Sequence, residues 1–466
     1  MDLFGTAGIR GDAETRVTPS LALAVGRAAG EDGGEFVLGR DGRVTGPALA
    51  AAVEAGLESA GAAVRSLGEV PTPALAFASR GRRGIMLTAS HNPPRDNGVK
   101  LFADGVEYDE AAERRIADRV AADPAPSEWS AWGSAESLDV LPGYRDAVAR
   151  YAASRRVAPS HPAGGDETDL QTDPLDGRSI AVDCGNGMGG LATPQVLRTL
   201  GARVVSLNGS VDGFFPGRPS KPTPETVADL RSFVADGEFA LGIAHDGDAD
   251  RVVIVAPDGD VVHEDTVVAI LAEHYVRSAS VADPVVVTTP NASGRIDERV
   301  AAVGGRTERV RLGALHEGID RVHSNGGTVV FAAEPWKHVH PEFGIWIDGV
   351  ASAAVLSVLL ASAGDLGTLR DPVTERPYRK TSVECPDDWK ESVMERVETK
   401  LPDRFPDAAV DTEFGVRLAF DDGSWVLVRP SGTEPCVRVY AESEDVDDLV
   451  ERAGDVVADA VDSVGD

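Results

Sequence analysis

What constrains this chain most is one alternation, repeated along most of its length. A short apolar run is followed by a Gly-rich or polar turn, and then by a segment of helical period. The runs at 36–39, 64–67, 85–87, 179–183, 203–207, 239–244, 252–256, 285–289 and 328–332 read as buried strands. Between them, 47–60, 109–121, 143–153, 193–200, 265–277, 293–302 and 350–362 read as helices. Such alternation predicts α/β layers, and the 50 glycines and 29 prolines suit its many turns. Beyond Tyr378 the order changes to helix 387–400, strands 416–420, 425–428 and 436–442, and helix 446–462, which predicts a small α+β unit. At 466 residues the chain is too long for one core. The expected division is 1–142, 143–258, 259–370 and 371–466. The polar, Pro- and Gly-rich run 158–177 is expected to be a mobile loop, and 123–137 a surface connection. Trp129 and Trp132 in that connection are expected to pack.

A formal net charge of −31 argues against nucleic acid or an anionic membrane as partner. Lys100, Lys221, Lys337, Lys380, Lys390 and Lys400 are the only lysines, so arginine carries most of the positive charge. An acidic, lysine-poor chain with ordinary apolar content suits a high-salt cytoplasm, where the Debye length falls to about 3 Å at 1 M salt. The N-terminal residues show no basic region or apolar signal core, and the Val350–Leu360 run is too short to span a bilayer. Cys184, Cys385 and Cys436 are odd in number and far apart, which reads as neither a disulfide framework nor a zinc site. Cys184, at a strand end in a Gly-rich turn, reads as a buried structural thiol, with a redox role as the alternative.

Four polar loops carry the chemistry. Thr88-Ala89-Ser90-His91-Asn92-Pro93 follows an apolar strand and offers a serine on a turn, the placement a nucleophile needs; an ordinary Asn-Pro turn is the alternative. Asp246-Gly247-Asp248-Ala249-Asp250-Arg251 sets three carboxylates at alternate positions at the carboxyl end of a strand. Oxygen donors of this kind suit Mg²⁺, and a solvated acidic turn is the alternative. Arg429-Pro430-Ser431-Gly432-Thr433-Glu434, with Arg438 beyond, combines guanidiniums, hydroxyls and backbone N–H groups suited to a phosphate. Phe4 to Gly11 contributes Arg10 in a Gly-rich turn or a frayed terminus.

These four motifs, in this order and spacing, resemble the α-D-phosphohexomutase superfamily, which includes phosphoglucomutases, phosphomannomutases and phosphoglucosamine mutases. The resemblance runs through essentially the whole chain. It implies three similar mixed α/β domains and a smaller C-terminal α+β domain around a central cleft. It implies that Ser90 carries the phosphoryl group and that Asp246, Asp248 and Asp250 hold one Mg²⁺ that also touches the phosphate on Ser90. Arg10 and Lys100 match basic positions beside the transferring group and are the implied candidates for proton transfer, His91 neighbours the same group, and Arg251 closes the metal loop toward substrate. Arg429, Ser431, Gly432, Thr433 and Arg438 match the loop for the phosphate that is not transferred. The implied reaction interconverts hexose 6- and 1-phosphates through a hexose 1,6-bisphosphate, in a cytoplasmic monomer or homodimer.

One loop departs from the family pattern. Where a Gly-Glu-x-Ser-Gly-His segment is usual, this chain has Ala333-Glu334-Pro335-Trp336-Lys337-His338. Glu334 and His338 are kept as expected sugar ligands, while Trp336 and Lys337 replace Ser-Gly and leave the sugar open; both are expected to contact substrate, the ring of Trp336 against one face of the sugar, with a structural loop and a packed Trp as the alternative. Phosphomannomutase or phosphoglucomutase activity is the favoured expectation, phosphoglucosamine mutase the alternative, and a non-catalytic sugar-phosphate-binding paralogue the reading of another class.

Overall fold

The computed structural model describes residues 3–5, 8–156, 173–432 and 434–465. Most of the run expected to be mobile, 158–172, and Thr433 therefore lie outside the described residues. The fold is mixed α/β, as the alternation predicts, and divides into two compact units. The first takes in the chain up to Glu264 together with Trp336–Leu369; the second takes in Asp265–Pro335 and the chain from Arg370 onward. The segment 259–370 contributes to both.

The first unit contains a seven-stranded sheet. Its main path runs Ile9–Asp12, Asp96–Ala103, Arg83–Leu87, Glu35–Arg40, Ala63–Glu69 and Ala135–Ser137, with Val106–Glu107 paired to the second of these. Glu35–Arg40 runs parallel to both Ala63–Glu69 and Arg83–Leu87, so their carboxyl ends share one edge. Helices Pro19–Gly30 and Gly46–Ser59 cross closely. A Cβ on Gly26 would meet Val53 O at 2.4 Å, and one on Gly56 would meet Leu23 O at 2.4 Å, so only glycine permits this approach. A second, four-stranded sheet orders Val253–Val255, Leu241–Ala244, Ser179–Asp183 and Arg203–Leu207. Its last three strands are parallel. Helix Gly349–Ala363 is apolar all round and buried for most of its length, capped by Asp348, which accepts from Ala351 N at 2.8 Å. Among the described residues no helix is long and apolar enough to cross a membrane.

The second unit pairs Pro284–Thr288 in parallel with Arg306–Arg309 and Thr328–Glu334. It also holds an antiparallel sheet ordered Tyr378–Glu384, Cys436–Glu442, Trp425–Pro430, Val416–Ala419 and Ala409–Asp411. Alternation along these strands sorts the faces: Val416, Leu418, Val426, Val428, Val437 and Val439 pack on Val393, Val397 and Val457 of the flanking helices. Trp425, Leu427 and Tyr440 face the other way and form their own cluster.

Several expectations change. Close behind the Thr88–Pro93 loop a central strand begins at Asp96 and carries Asn97 and Lys100 inside it, buried at 0% and 2% exposure. Antiparallel neighbours on both sides hold it, Ile9–Asp12 and Arg83–Leu87. Ile9–Asp12 is thus an edge strand, and it carries Arg10. The loop expected at 333–338 runs into a hairpin, Lys337–His340 with Gly344–Ile347. Trp129 and Trp132 do not pack; they stand 84% and 54% exposed, with Trp132 Nε1 donating to Ser127 O at 3.0 Å. All three cysteines are free and buried, and burial pushes the Cys184 thiol up to about 12, which suits the structural reading.

Candidate active site

The first unit gathers its chemistry at the carboxyl ends of Arg83–Leu87, Glu35–Arg40 and Leu241–Ala244. Ser90 sits in the turn after Arg83–Leu87 with φ +50°, a left-handed conformation uncommon for a residue with a side chain. Its N–H donates to Thr88 Oγ1 at 2.8 Å, and its hydroxyl donates to Asp246 Oδ2 at 2.7 Å. His91 Nδ1 lies 3.3 Å from the same hydroxyl. Burial, then the nearby Arg251 and Arg10 charges, pull the His91 imidazole down to about 3.

The acidic loop approaches Ser90 closely. A Cβ on Gly247 would stand 2.5 Å from Ser90 O, so the approach demands glycine there. Ala249 takes φ +60° to turn the loop back, which brings oxygens of Asp246, Asp248 and Asp250 within 4.8 Å of one another in a buried setting. Asp248 Oδ2 accepts from Thr72 Oγ1 at 2.7 Å, and Thr88 Oγ1 lies 3.2 Å from it. Asp248 Oδ1 and Asp250 Oδ1 are buried without a hydrogen bond. Burial, with Asp250 and Asp248 adding to it, pushes Asp246 well above the usual carboxylate range. Crowded carboxylates with open oxygens are what a hard divalent cation relieves, so these residues fit an oxygen-liganded metal.

Basic groups surround the triad. Lys100 Nζ reaches Glu107 Oε1 at 3.0 Å and Asp250 Oδ2 at 3.4 Å. Burial disfavours its charge, yet Glu107 and Asp250 hold it above the usual lysine range. Burial works against the Asp250 carboxylate, but Lys337, Lys100 and Arg251 keep it below the usual range. Arg251 Nε lies 3.8 Å from Asp246 and 3.9 Å from Asp250. Arg10 pairs across the sheet with Gly98, and its charge is felt at both His91 and Asp250. Lys337 forms a backbone bridge with Arg251. Trp336, at φ +67°, accepts from Val252 N at 3.1 Å through its carbonyl, and its side chain packs on the cluster of Val227, Leu230, Val234 and Val253. His338 is 1% exposed with Nδ1 on Ser352 Oγ at 3.0 Å, so the structure buries it behind the loop.

In the second unit, Glu334 Oε1 accepts from Gly313 N at 2.5 Å. Arg429 and Arg438 face each other in register on adjacent strands. Arg429 Nη2 donates to Tyr440 Oη at 2.9 Å, while Arg438 Nη2 donates to Glu434 Oε2 at 2.7 Å. Ser431 Oγ accepts from Glu434 N at 3.2 Å, and space is open around Gly432.

Sequence reasoning passed over Asp41, Arg43, Thr72, Glu107 and Lys390. Lys390 donates to Ser431 O at 2.6 Å and Glu434 O at 2.7 Å, tying down the 429–438 loop. The Arg40-Asp41-Gly42-Arg43 run at the end of an apolar strand was the available signal for the first two.

Comparison with known proteins identifies the family. Residues 1–126 and 165–259 match the family models for phosphoglucomutase/phosphomannomutase α/β/α domains I and II, and 390–460 match the C-terminal domain of the same family. The chain is 40% identical over 452 residues to a phosphopentomutase of Thermococcus kodakarensis, covering 95% of this chain and 94% of the relative. It is 40% identical over 451 residues to a probable phosphoglucosamine mutase of Methanopyrus kandleri, with the same two coverages of 95% and 94%. Among solved structures, a phosphoglucomutase/phosphomannomutase family protein from Burkholderia thailandensis matches with a TM-score of 0.82 at 25% identity, covering 99% of this chain and 97% of that one. With the serine loop and the acidic loop brought together in one unit, and relatives this similar over nearly their full length, the chain belongs to the α-D-phosphohexomutase superfamily.

Proposed function

We propose that the chain is a magnesium-dependent phosphohexomutase that interconverts hexose 6- and 1-phosphates through phospho-Ser90, with glucose and mannose phosphates as preferred substrates. The observation that carries this reading is the Ser90 hydroxyl held 2.7 Å from Asp246 beside two further carboxylates with open oxygens. In the forward half-reaction a sugar hydroxyl oxygen attacks the phosphorus on Ser90. The new P–O bond to the sugar forms as the bond to Ser90 Oγ breaks, and the hydroxyl proton passes to a base. The reverse step, with the other phosphate of the resulting 1,6-bisphosphate, restores phospho-Ser90. Mg²⁺ held by Asp246, Asp248 and Asp250 would neutralise phosphoryl charge. Arg10, Lys100 and Arg251 add positive charge around the acceptor. Arg10 and Lys100 are proposed as the candidates for proton transfer, with His91 beside them, 3.3 Å from Ser90 Oγ. Arg429, Ser431, Gly432, Thr433 and Arg438 are proposed to hold the phosphate that is not transferred, and Glu334 the sugar hydroxyls. The acidic composition supports a high-salt cytoplasm, and the enzyme is proposed to act as a monomer or homodimer with no nucleic-acid or membrane partner.

A second reading, phosphoglucosamine or pentose phosphate as substrate, is favoured by the names of the relatives. The deciding experiment measures kcat/KM for glucose, mannose, glucosamine and ribose 1-phosphates with a bisphosphate activator. Glu334→Ala should lower all alike, by about 10²-fold for a lost charge-assisted hydrogen bond. Lys337→Gly should change the ratios, raising glucosamine phosphate most, because an ammonium disfavours a protonated 2-amino group. Trp336→Ser, which removes a packed ring, should affect stability more than the ratios. Higher kcat/KM for glucosamine or ribose phosphate in the wild type overturns the proposed preference. Absence of turnover with every sugar favours the non-catalytic paralogue.

A further inference from the structure

Arg43 lies outside the motifs that mark the family resemblance, yet its side chain is 0% exposed and faces the Ser90 loop. A guanidinium has five N–H donors in a fixed planar fork. Here each finds an acceptor. Nε donates to Asp41 Oδ2 at 3.0 Å. Nη1 donates to Pro93 O at 2.5 Å and Asp96 O at 2.9 Å. Nη2 donates to Ser90 O at 3.0 Å and Asn92 O at 2.8 Å. Four carbonyls of one turn thus converge on a single cation, and Phe215 closes over it at 5.2 Å.

This arrangement bears directly on the nucleophile. The Ser90 peptide is held from both sides, its carbonyl by Arg43 and its N–H by Thr88 Oγ1. Thr88 donates in turn to Asp41 Oδ2 at 2.7 Å, the oxygen that also takes Arg43 Nε. Asp41 Oδ1 accepts from Arg43 N at 3.0 Å, which fixes the start of the side chain. A left-handed serine persists only where its surroundings over-determine it, and the Arg43–Asp41–Thr88 clamp supplies that constraint. Lysine at this position could not substitute: its three donors sit on a point charge and cannot span four carbonyls of one turn.

We infer that Arg43 is a positioning residue for the phosphoryl-transfer step, fixing the backbone of the Ser90–Asp96 turn so that Ser90 Oγ is aimed at the acidic loop. The consequence for turnover rests on the proposed function; the consequence for the turn does not. Full-length wild type, Arg43→Lys and Arg43→Ala are compared by amide hydrogen exchange and by kcat and KM for glucose 1-phosphate. Exchange within 88–97 should rise at least about tenfold in Arg43→Ala, with peptides of the second unit unchanged. Turnover should fall about 10²-fold with KM little altered, since the nucleophile is misplaced rather than the sugar lost. Arg43→Lys should be impaired nearly as much, and millimolar guanidinium should restore part of both readouts in Arg43→Ala. Wild-type exchange at 88–97 in Arg43→Ala, or an equal rise over every peptide, overturns the inference. So does a full rate in Arg43→Lys. An inactive wild type counts against the proposed function, and exchange still decides on Arg43.

Discussion

Ser90 Oγ donates to Asp246 Oδ2 across 2.7 Å, although the two residues are 156 positions apart. The pairing places a hydroxyl, with no charge of its own, against a carboxylate whose protonation burial already favours. A cation among these crowded carboxylates would relieve that cost.

Asp248 reaches the triad with one oxygen tied and one open. Thr72 Oγ1 holds Oδ2, so Oδ1 is left as the donor. Thr72→Val keeps the volume and removes the hydroxyl. Mg²⁺ affinity by titration calorimetry should fall about 10–100-fold, as is usual when an outer partner of a metal ligand is lost. Asp248→Asn should cost more. Unchanged affinity in Thr72→Val would show that Asp248 needs no orienting partner.

Gly247 is required by contact rather than by its own torsion. Adding one methyl should force the acidic loop away from Ser90 O, now 2.5 Å from the Cβ position. Gly247→Ala should keep its thermal midpoint near that of the wild type and lose about 10²-fold in turnover. Full activity in this variant would mean the two loops do not need to meet.

His338 and His340 share Ser352 Oγ, at 3.0 and 2.9 Å, in the core beneath the departing loop. Burial pulls His338 down to about 3 and His340 well below its usual value. Their contribution is full above the unfolded pKa near 6.5 and is lost as pH falls toward the folded value. At pH 5 His338 alone should cost about 2 kcal/mol. Asp348, raised to about 6 by burial, and accepting from Ser352 through its carbonyl, acts in the opposite sense, while Arg155 adds positive charge near His340. The difference between proteins isolates the histidine. Urea midpoints at pH 7.5 and 5.0 should diverge less in His338→Gln than in wild type. An equal pH dependence in both would contradict the assignment.

Net charge of −31 predicts that stability rises with salt. The urea midpoint should be higher in 2 M than in 0.1 M KCl, on the order of the screening expected when the Debye length drops from about 10 Å to below 3 Å. Equal midpoints would set aside the high-salt reading.

Much of the candidate chemistry of each unit could be read from the chain because it is contiguous: Ser90 with His91 and the three aspartates in the first unit, and Arg429 with Ser431 in the second, each lie within one loop. Strand ends deliver those loops, and apolar runs such as Val182 and Ile243 mark the strands. What escaped reading acts across long separations. Thr72 meets Asp248 from 176 residues away, and Arg43 meets Ser90 from 47. The strand Asp96–Ala103 was hidden by polar residues that distant partners satisfy, Lys100 by Glu107 and Asp250 and Asn97 by Thr45. Trp336 invited a sugar-facing role because aromatic rings suit sugars. Its positive φ and its packing on Val234 and Val253 come from the tertiary fold, which the local sequence does not encode.

The central claim is that Ser90 carries the phosphoryl group, and the most direct measurement is its occupancy. Wild type and Ser90→Ala are incubated with glucose 1,6-bisphosphate and Mg²⁺, then followed by intact mass and peptide mapping. Wild type should gain one phosphoryl group on the peptide containing Ser90 and lose it to excess glucose 1-phosphate, while Ser90→Ala, equally folded, should gain none and show no mutase turnover. A wild type that never carries phosphate on Ser90, or a Ser90→Ala enzyme that keeps most of the wild-type rate, would contradict the account.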